Sequence, residues 1–191
     1  AKPAAVPQAA SPDLQQLAEA KRAFEQLRPA VAARLDALGI QDYLVELGGE
    51  VLARGRNAEG RRWRVAVETP LAGVRRAQAV IELDATGVST SGDYRDYREV
   101  DGRRVSHTID PRTGRPVAHG LASVTVVHPS VAAADAWATA LTVLGPEEGM
   151  ALARREGLAA LFIVRGDGPG GFVESETPEF GRLRLPQAAR L

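Results

Sequence analysis

Asp135 and Thr139 are four residues apart in the stretch ADAWATAL. On a helix this spacing places both side chains on one face. Their oxygens are hard ligands, which suit Mg²⁺ or Ca²⁺ rather than zinc, so the pair is a candidate metal site. A structural role is the alternative, in which Asp135 caps the first turn of the helix and Thr139 hydrogen-bonds back to a carbonyl.

A second candidate group surrounds His107, one of three histidines in the chain. Asp110 and Gly114 follow it and are residue types typical of turns. A histidine near neutral pH can accept a proton from a hydroxyl, and arginines such as Arg112 and Arg115 can hold phosphate oxygens. The group could therefore hold an anion beside a titratable imidazole, although a strand-end histidine next to a solvated turn is also possible. The other two histidines, His119 and His128, are predicted to be surface residues.

Two glycine-containing stretches could let the backbone approach a ligand closely. STSGDY, Ser89–Tyr94, has small hydroxyls and a glycine at a predicted strand end, where amides can contact a phosphate or a ring. ELGGE, Glu46–Glu50, has paired glycines that allow the same approach. An ordinary loop explains the first stretch and a tight hairpin the second, so neither decides the function.

The elements that position these residues are strands in the middle of the chain and helices on either side. RRWRVAVE alternates apolar and charged residues, which predicts a half-buried strand. Helices are predicted from Asp13, from Pro29 through Leu38, over Val131–Leu144, and from Pro146 through Arg155. The class is α+β. The other predicted strands are Tyr43–Leu47, Gln78–Leu83, Gly87–Ser91, Tyr97–Val100, Val105–Ile109, Ser123–Val127, Ala160–Arg165 and an edge strand over Gly181–Leu185.

Composition limits the classes of protein to consider. The chain has 191 residues, with 24 Lys and Arg against 24 Asp and Glu, and this balance argues against a nucleic-acid binder. The absence of cysteine excludes disulfides, thiolate metal sites and a cysteine nucleophile. No apolar run approaches the roughly 20 residues that span a bilayer. We expect a flexible lead-in over residues 1–12 and a single domain over residues 13–191.

Several motifs in order resemble the ApbE family of FAD:protein FMN transferases: ELGGE, WRVAVETP, STSGDYRDY, HTIDPRTGRPV, LASVTVVHPS and ADAWATALTVLGPEEG. The resemblance runs from about Gly39 to Ile163. It implies an α+β T-fold core with a mixed or antiparallel sheet and flanking helices. It also implies an enzyme that splits the pyrophosphate of FAD with Mg²⁺, releases AMP, and attaches FMN through a phosphoester to a threonine of a target flavoprotein.

The resemblance also implies a location and roles for single residues. Targets in this family are often subunits of redox-driven membrane complexes, and the enzymes usually work in the periplasm or at the outer face of the cytoplasmic membrane. Asp135 and Thr139 match the family's magnesium ligands, and Ala138 lies in the same site. His107 matches the histidine needed for transfer, where it would assist the acceptor hydroxyl.

The flavin nucleotide would be contacted by a second set of residues. Ser91, Gly92 and His107 would line the flavin pocket and bind the nucleotide, and Ile109 falls where the family contacts it. Asp110 and Arg112 are expected to shape the loop rather than to act in catalysis.

The chain departs from the family pattern on the N-terminal side. The helix in LRPAVAARLDALGI has no glycine-rich loop with a lysine before it, so we expect family segments to be missing near Leu27–Arg28. Two alternatives to the transferase therefore stay open. One is an FAD pyrophosphatase, and the other is a non-catalytic module that binds or delivers flavin.

Overall fold

The structure is a computed structural model that describes residues 30–71, 73, 75–93, 97–100, 103–167 and 171–186. The chain divides into two units, Ala1–Gly39 and Ile40–Leu191. In the first unit, residues 30–37 form helix α1, in agreement with the predicted second helix. The lead-in and the helix predicted from Asp13 lie outside the described residues, and the division at residue 12 stays a prediction. Within the described residues, no helix has the length and apolar character needed to cross a membrane.

The second unit is built on a six-stranded antiparallel sheet with the strand order β1-β2-β5-β10-β11-β12. Three separate two-stranded pairs join β3 to β4, β6 to β7 and β8 to β9. The strands are β1 Tyr43–Leu47, β2 Glu50–Arg54, β3 Trp63–Glu68, β4 Ala77–Leu83, β5 Thr86–Gly92, β6 Tyr97–Val100, β7 Arg103–Ser106, β8 Ile109–Asp110, β9 Arg115–Pro116, β10 Leu121–His128, β11 Ala159–Arg165 and β12 Phe172–Glu176. Two further helices are α2 Val131–Arg155 and α3 Pro178–Gly181.

The two faces of the large sheet carry separate apolar clusters. Successive side chains of a strand point to opposite faces of the sheet. Strands β10 and β11 are buried on both faces, so each of them contributes side chains to both clusters. On one face, Val124, Val126 and Phe162 pack against the buried side of α2. On the other face, Leu161 and Ile163 pack with Ile81 of the β3–β4 pair and with Phe180 of α3. The domain therefore has three layers, with the sheet between α2 and the β3–β4 pair.

Helix α2 begins at the Ser130 cap, whose side chain accepts a hydrogen bond from the Ala133 amide, and it is interrupted at Gly145. Gly145 has φ 82° and ψ −177°, which a residue with a side chain rarely adopts. Because Pro146 has no N–H, the Thr142 carbonyl loses its helical partner, and the His119 ring nitrogen Nε2 lies 2.8 Å from that oxygen. Two helical segments separated at this point confirm the sequence prediction. The prediction that His119 is a surface residue is wrong, since its imidazole is half-buried against the interruption.

The sequence predicted most strands to within two residues, but two regions differ. The single strand predicted over Val105–Ile109 is wrong, because β7 ends at Ser106 and β8 begins at Ile109. The Ser106 hydroxyl accepts a hydrogen bond from the Thr108 amide, which turns the chain at His107. The predicted edge strand over Gly181–Leu185 is reduced to one bridge between Arg184 and Ile81, and β12 was not predicted.

Gly87 of β5 lies in tight contact with Val131 at the start of α2. A Cβ atom there would lie 2.3 Å from Val131 Cγ2 and 2.9 Å from Val131 Cα, so backbone must move to admit it. We expect Gly87→Ala to lower the free energy of unfolding by about 1–3 kcal/mol, as overpacking does. Gly120→Ala is the control, because its nearest atom lies 3.6 Å away. Equal urea midpoints for the two variants would contradict this account of the packing.

Candidate active site

The candidate site lies where strand pairing in the large sheet stops on one side of β5. Strand β2 pairs with β5 only from Thr86 to Val88, whereas β10 pairs with β5 from Gly87 to Gly92. In the described residues, Ser89–Gly92 thus has a strand partner on one side only. Alternate backbone N–H and C=O groups of this segment point to the unpaired side, where they are available to a ligand. The loop interpretation of STSGDY is therefore wrong over Ser89–Gly92, which belong to β5, and Tyr94 lies outside the described residues.

The tip of the β1–β2 hairpin lies beside this unpaired edge. Gly48 and Gly49 have φ values of 66° and 93°, as the central positions of the tightest hairpin turns require, which confirms the hairpin interpretation of ELGGE. The Glu46 carboxylate accepts a hydrogen bond of 2.8 Å from the Gly49 amide and holds the turn closed. Both glycines line the cavity described next.

A cavity of about 520 Å³ opens between the hairpin tip, the end of β5, strand β3 and helix α2. Five of the residues predicted to form the site line it together: Ser91, Gly92, His107, Asp135 and Thr139. They come from three separate segments of the chain, and only the fold brings them to one place. The grouping that the motifs implied is thus present in the geometry.

Asp135 points from α2 toward the end of β5. The Ser89 hydroxyl, which is buried, lies 3.4 Å from Asp135 Oδ1 and donates to it. The alternative that Asp135 caps the helix is wrong, because Ser130 is the cap and α2 has no acidic residue in its first turn. Asp135 is half-buried and Thr139 is exposed, so the pair presents a carboxylate and a hydroxyl to the cavity.

Two of the predicted site residues do not line this cavity. Ala138 is fully buried in the core beneath α2, and its carbonyl accepts a 2.8 Å hydrogen bond from the Thr142 hydroxyl. Ile109 is 49% exposed on β8 and pairs with Pro116. Their roles in binding metal and flavin stay predictions, and the cavity geometry adds no support to them.

The turn after His107 is organised by an ion pair between Asp110 and Arg112. Arg112 donates to Asp110 from its backbone amide at 2.8 Å and from Nη2 at 2.9 Å. These hydrogen bonds, with the guanidinium charge, hold the pKa of Asp110 below its usual value. Arg112 also reaches Glu148 of α2 at 3.4 Å. Neither Arg112 nor Arg115 lines the cavity beside His107, so the geometry adds no support to the idea that they hold an anion there, whereas a loop-shaping role fits the contacts of Arg112 with Asp110 and Glu148.

Three charged residues that were not predicted also line the cavity: Glu46, Glu68 and Arg75. The two glutamates belong to the motifs ELGGE and WRVAVETP, which gave a signal that could have identified them. Arg75 has no local signal, since only the pairing of β3 with β4 brings it to this place. With Asp135, the described lining carries three carboxylates and one guanidinium.

This arrangement can hold a hard cation, provided that a ligand supplies further oxygens. In the described part of the chain, no group of three or more His, Cys, Asp or Glu side chains is placed to hold a metal ion. Asp135 and Thr139 give a carboxylate and a hydroxyl, which are the donor types that Mg²⁺ prefers. Mg²⁺ commonly completes its octahedron with waters and substrate phosphates, so a two-residue site of this kind fits it.

Comparison with known proteins agrees with the motifs. The model of the ApbE family matches residues 29–162. An Escherichia coli protein named FAD:protein FMN transferase is 50% identical over 135 residues, which are 71% of this chain and 38% of that protein. A Klebsiella pneumoniae protein of the same name is 45% identical over 150 residues, or 78% of this chain and 42% of the relative. The chain thus spans about two fifths of the length of these relatives.

Solved structures show the same relationship. The apo form of the Pseudomonas stutzeri flavinyl transferase ApbE superposes with a TM-score of 0.72 at 52% identity, over 84% of this chain and 49% of that one. The flavin transferase ApbE from Vibrio cholerae gives a TM-score of 0.71 at 40% identity, again over 84% of this chain and 50% of the other. Sequence motifs, α+β fold and matched residues agree, and the chain belongs to the ApbE family.

Proposed function

We propose that the protein is a Mg²⁺-dependent FAD:protein FMN transferase. It would cleave the pyrophosphate of FAD, release AMP, and attach FMN through a phosphoester to a threonine of a target flavoprotein. The observation that carries the proposal is the convergence of His107, Asp135, Thr139 and the Ser91–Gly92 strand end on one cavity. Family membership and the names of the relatives support it.

The charge of the cavity supports a requirement for a divalent cation. A pyrophosphate brings further negative charge to a lining whose described residues already carry the carboxylates of Glu46, Glu68 and Asp135 against the single guanidinium of Arg75. The carboxylates of the lining repel the negatively charged pyrophosphate, and a positive charge must offset this repulsion before the nucleotide can bind. Asp135 and Thr139 would hold Mg²⁺, which when bound neutralises the pyrophosphate oxygens and stabilises the leaving AMP.

His107 supplies the proton acceptor for the attacking hydroxyl. A threonine hydroxyl is a poor nucleophile near neutral pH unless a positioned base assists it. As the threonine oxygen bonds to the phosphorus of the FMN half, its proton passes to the imidazole of His107, and the bond to the AMP oxygen breaks. The exposure of His107 at the cavity suits this role, because the threonine arrives on another protein.

The unpaired edge of β5 is suited to the flavin ring. One edge of the isoalloxazine presents a carbonyl, an N–H and a second carbonyl in a row. The backbone of Ser89–Gly92 offers N–H and C=O groups in alternation on its unpaired side. Ser91 has a small side chain and Gly92 has none, which leaves room for the ring against this edge.

We further propose that the protein works in the periplasm, or at the outer face of the cytoplasmic membrane, on a flavoprotein subunit of a membrane redox complex. These two points depend on the family resemblance. Fractionation of the native host, with this chain followed by antibody, tests the location.

The test of the function is to incubate the chain with FAD and MgCl₂, with and without a flavoprotein domain that contains an acceptor threonine. AMP is measured by chromatography and the domain by intact mass. AMP release with a mass gain of one FMN group supports the transferase. AMP release without a mass gain would replace it with an FAD pyrophosphatase, and bound FAD with neither product would replace it with a flavin-binding module.

A further inference from the structure

We propose that Arg75 binds a phosphate of the flavin nucleotide and thereby positions it in the cavity. The inference rests on the proposed function and adds a residue to it. Arg75 is the one arginine or lysine among the described residues that line the cavity. A metal ion held by Asp135 would neutralise only part of the charge of the pyrophosphate. Arg75 lines the same cavity and can supply a second positive charge.

The backbone next to Arg75 is held firmly. Where β3 and β4 separate, the Thr69 amide donates to the Arg76 carbonyl at 2.8 Å, and the Thr69 hydroxyl donates to the same oxygen at 3.1 Å. Thr69 is fully buried, so the donor end of these bonds is shielded from water, although Arg76 is exposed. The backbone is therefore anchored one residue from Arg75 at the cavity rim, which reduces the entropy that this segment loses when the side chain binds a ligand.

The guanidinium of Arg75 is weakly engaged in the structure. Its Nε lies 3.5 Å from Glu68 Oε1, and the Arg75 side chain is 89% exposed. Such an exposed pair contributes little and is easily exchanged. By contrast, Arg112 makes several short bonds to Asp110, and Arg184 reaches Glu174 and Glu176 at 2.5 and 2.7 Å. Arg75 can thus turn from Glu68 to a phosphate at small cost.

The chemistry of the guanidinium fits the proposed ligand. Its planar fork donates two parallel hydrogen bonds to phosphate oxygens, and bonds of this kind are stronger than those between neutral groups. A phosphate of the nucleotide would lie between the Arg75 side and the Asp135 side of the lining.

The test compares Arg75→Gln with Arg76→Gln in the full chain by calorimetry in MgCl₂, with FAD, FMN and riboflavin as probes. Arg76 is the matched control, because its side chain does not line the cavity and makes only a long contact of 3.4 Å from Nε to the Thr69 hydroxyl, while the carbonyl that anchors the backbone is present in both variants. We expect Arg75→Gln to weaken FAD binding about 10- to 100-fold, the usual range for a lost hydrogen bond to a charged group. Riboflavin binding should be unchanged in both variants, and FAD binding should be unchanged in Arg76→Gln.

The outcomes separate the inference from the proposed function. A loss for both FAD and FMN assigns the contact to the FMN-side phosphate, and a loss for FAD alone assigns it to the AMP side; either supports the inference. Wild-type FAD affinity in a folded Arg75→Gln variant, an equal loss in Arg76→Gln, or an equal loss for riboflavin would each overturn it and leave the transferase proposal standing. If the folded wild-type chain binds no FAD, the proposed function fails and the inference fails with it.

Discussion

Replacing Asp135 with asparagine is expected to lower Mg²⁺-dependent AMP release from FAD about 100- to 1,000-fold, which corresponds to about 3–4 kcal/mol of transition-state stabilisation. Asparagine has nearly the same shape and can still accept the hydrogen bond from the Ser89 hydroxyl, so the fold should survive. What is lost is the charge that would hold the cation. The measurement is AMP production by chromatography at saturating FAD across a titration of MgCl₂.

Glu147→Gln is the matched control for this variant. Glu147 lies on the same helix, is exposed and does not line the cavity, so its loss should leave both the rate and the magnesium dependence unchanged. An Asp135→Asn enzyme that keeps the wild-type dependence on MgCl₂ would show that the cation is held elsewhere. The assignment of Asp135 and Thr139 as metal ligands would then be abandoned.

Replacing His107 with alanine is expected to lower FMN transfer about 100- to 10,000-fold, the usual contribution of a positioned general base. The side chain is exposed, so the thermal midpoint should stay close to that of the wild type. FAD affinity should be reduced much less than the rate, because the role proposed for His107 is toward the acceptor hydroxyl. Transfer is followed by the mass of the acceptor domain over time, and FAD affinity by calorimetry.

His128→Ala separates a catalytic effect from a general effect of losing a histidine. His128 ends β10, accepts a hydrogen bond from the Ser130 amide and does not line the cavity. Transfer should therefore continue at the wild-type rate in this variant. Unchanged transfer in His107→Ala would remove His107 from the mechanism, even if the His128 control behaves as expected.

Local chemistry allowed most of the fold to be predicted from the sequence. The alternation in β3 and the apolar runs of β10 and β11 follow from the faces that these strands bury. The Gly145-Pro146 pair breaks a helix wherever it occurs, and it does so in α2. Strand β12 escaped prediction because FVESE lies at a sheet edge and carries two glutamates, whose partner Arg184 comes from a later segment.

The residues of the candidate site could be predicted from the sequence only where they belong to a motif of the family. His107, Asp135 and Thr139 lie in motifs of the family, and the cavity contains all three. The turn at His107, which separates β7 from β8, was missed because the alternation of apolar and polar residues continues across it. The hydrogen bond from the Thr108 amide to the Ser106 hydroxyl, which produces the turn, cannot be read from that alternation. Arg75 was missed because its position depends on how β3 pairs with β4. Residues that belong to no motif, such as Arg75, can be identified only from the tertiary structure.

To test whether the chain transfers FMN from FAD to a threonine, we would measure the intact mass of a flavoprotein domain with an acceptor threonine after incubation with this chain, FAD and MgCl₂. Parallel samples contain EDTA in place of MgCl₂, or an acceptor in which the threonine is replaced by alanine. If the chain is an FMN transferase, we expect a mass gain of one FMN group in the complete sample and none in either control. An unchanged mass in the complete sample, with the chain folded and FAD bound, would contradict the transferase.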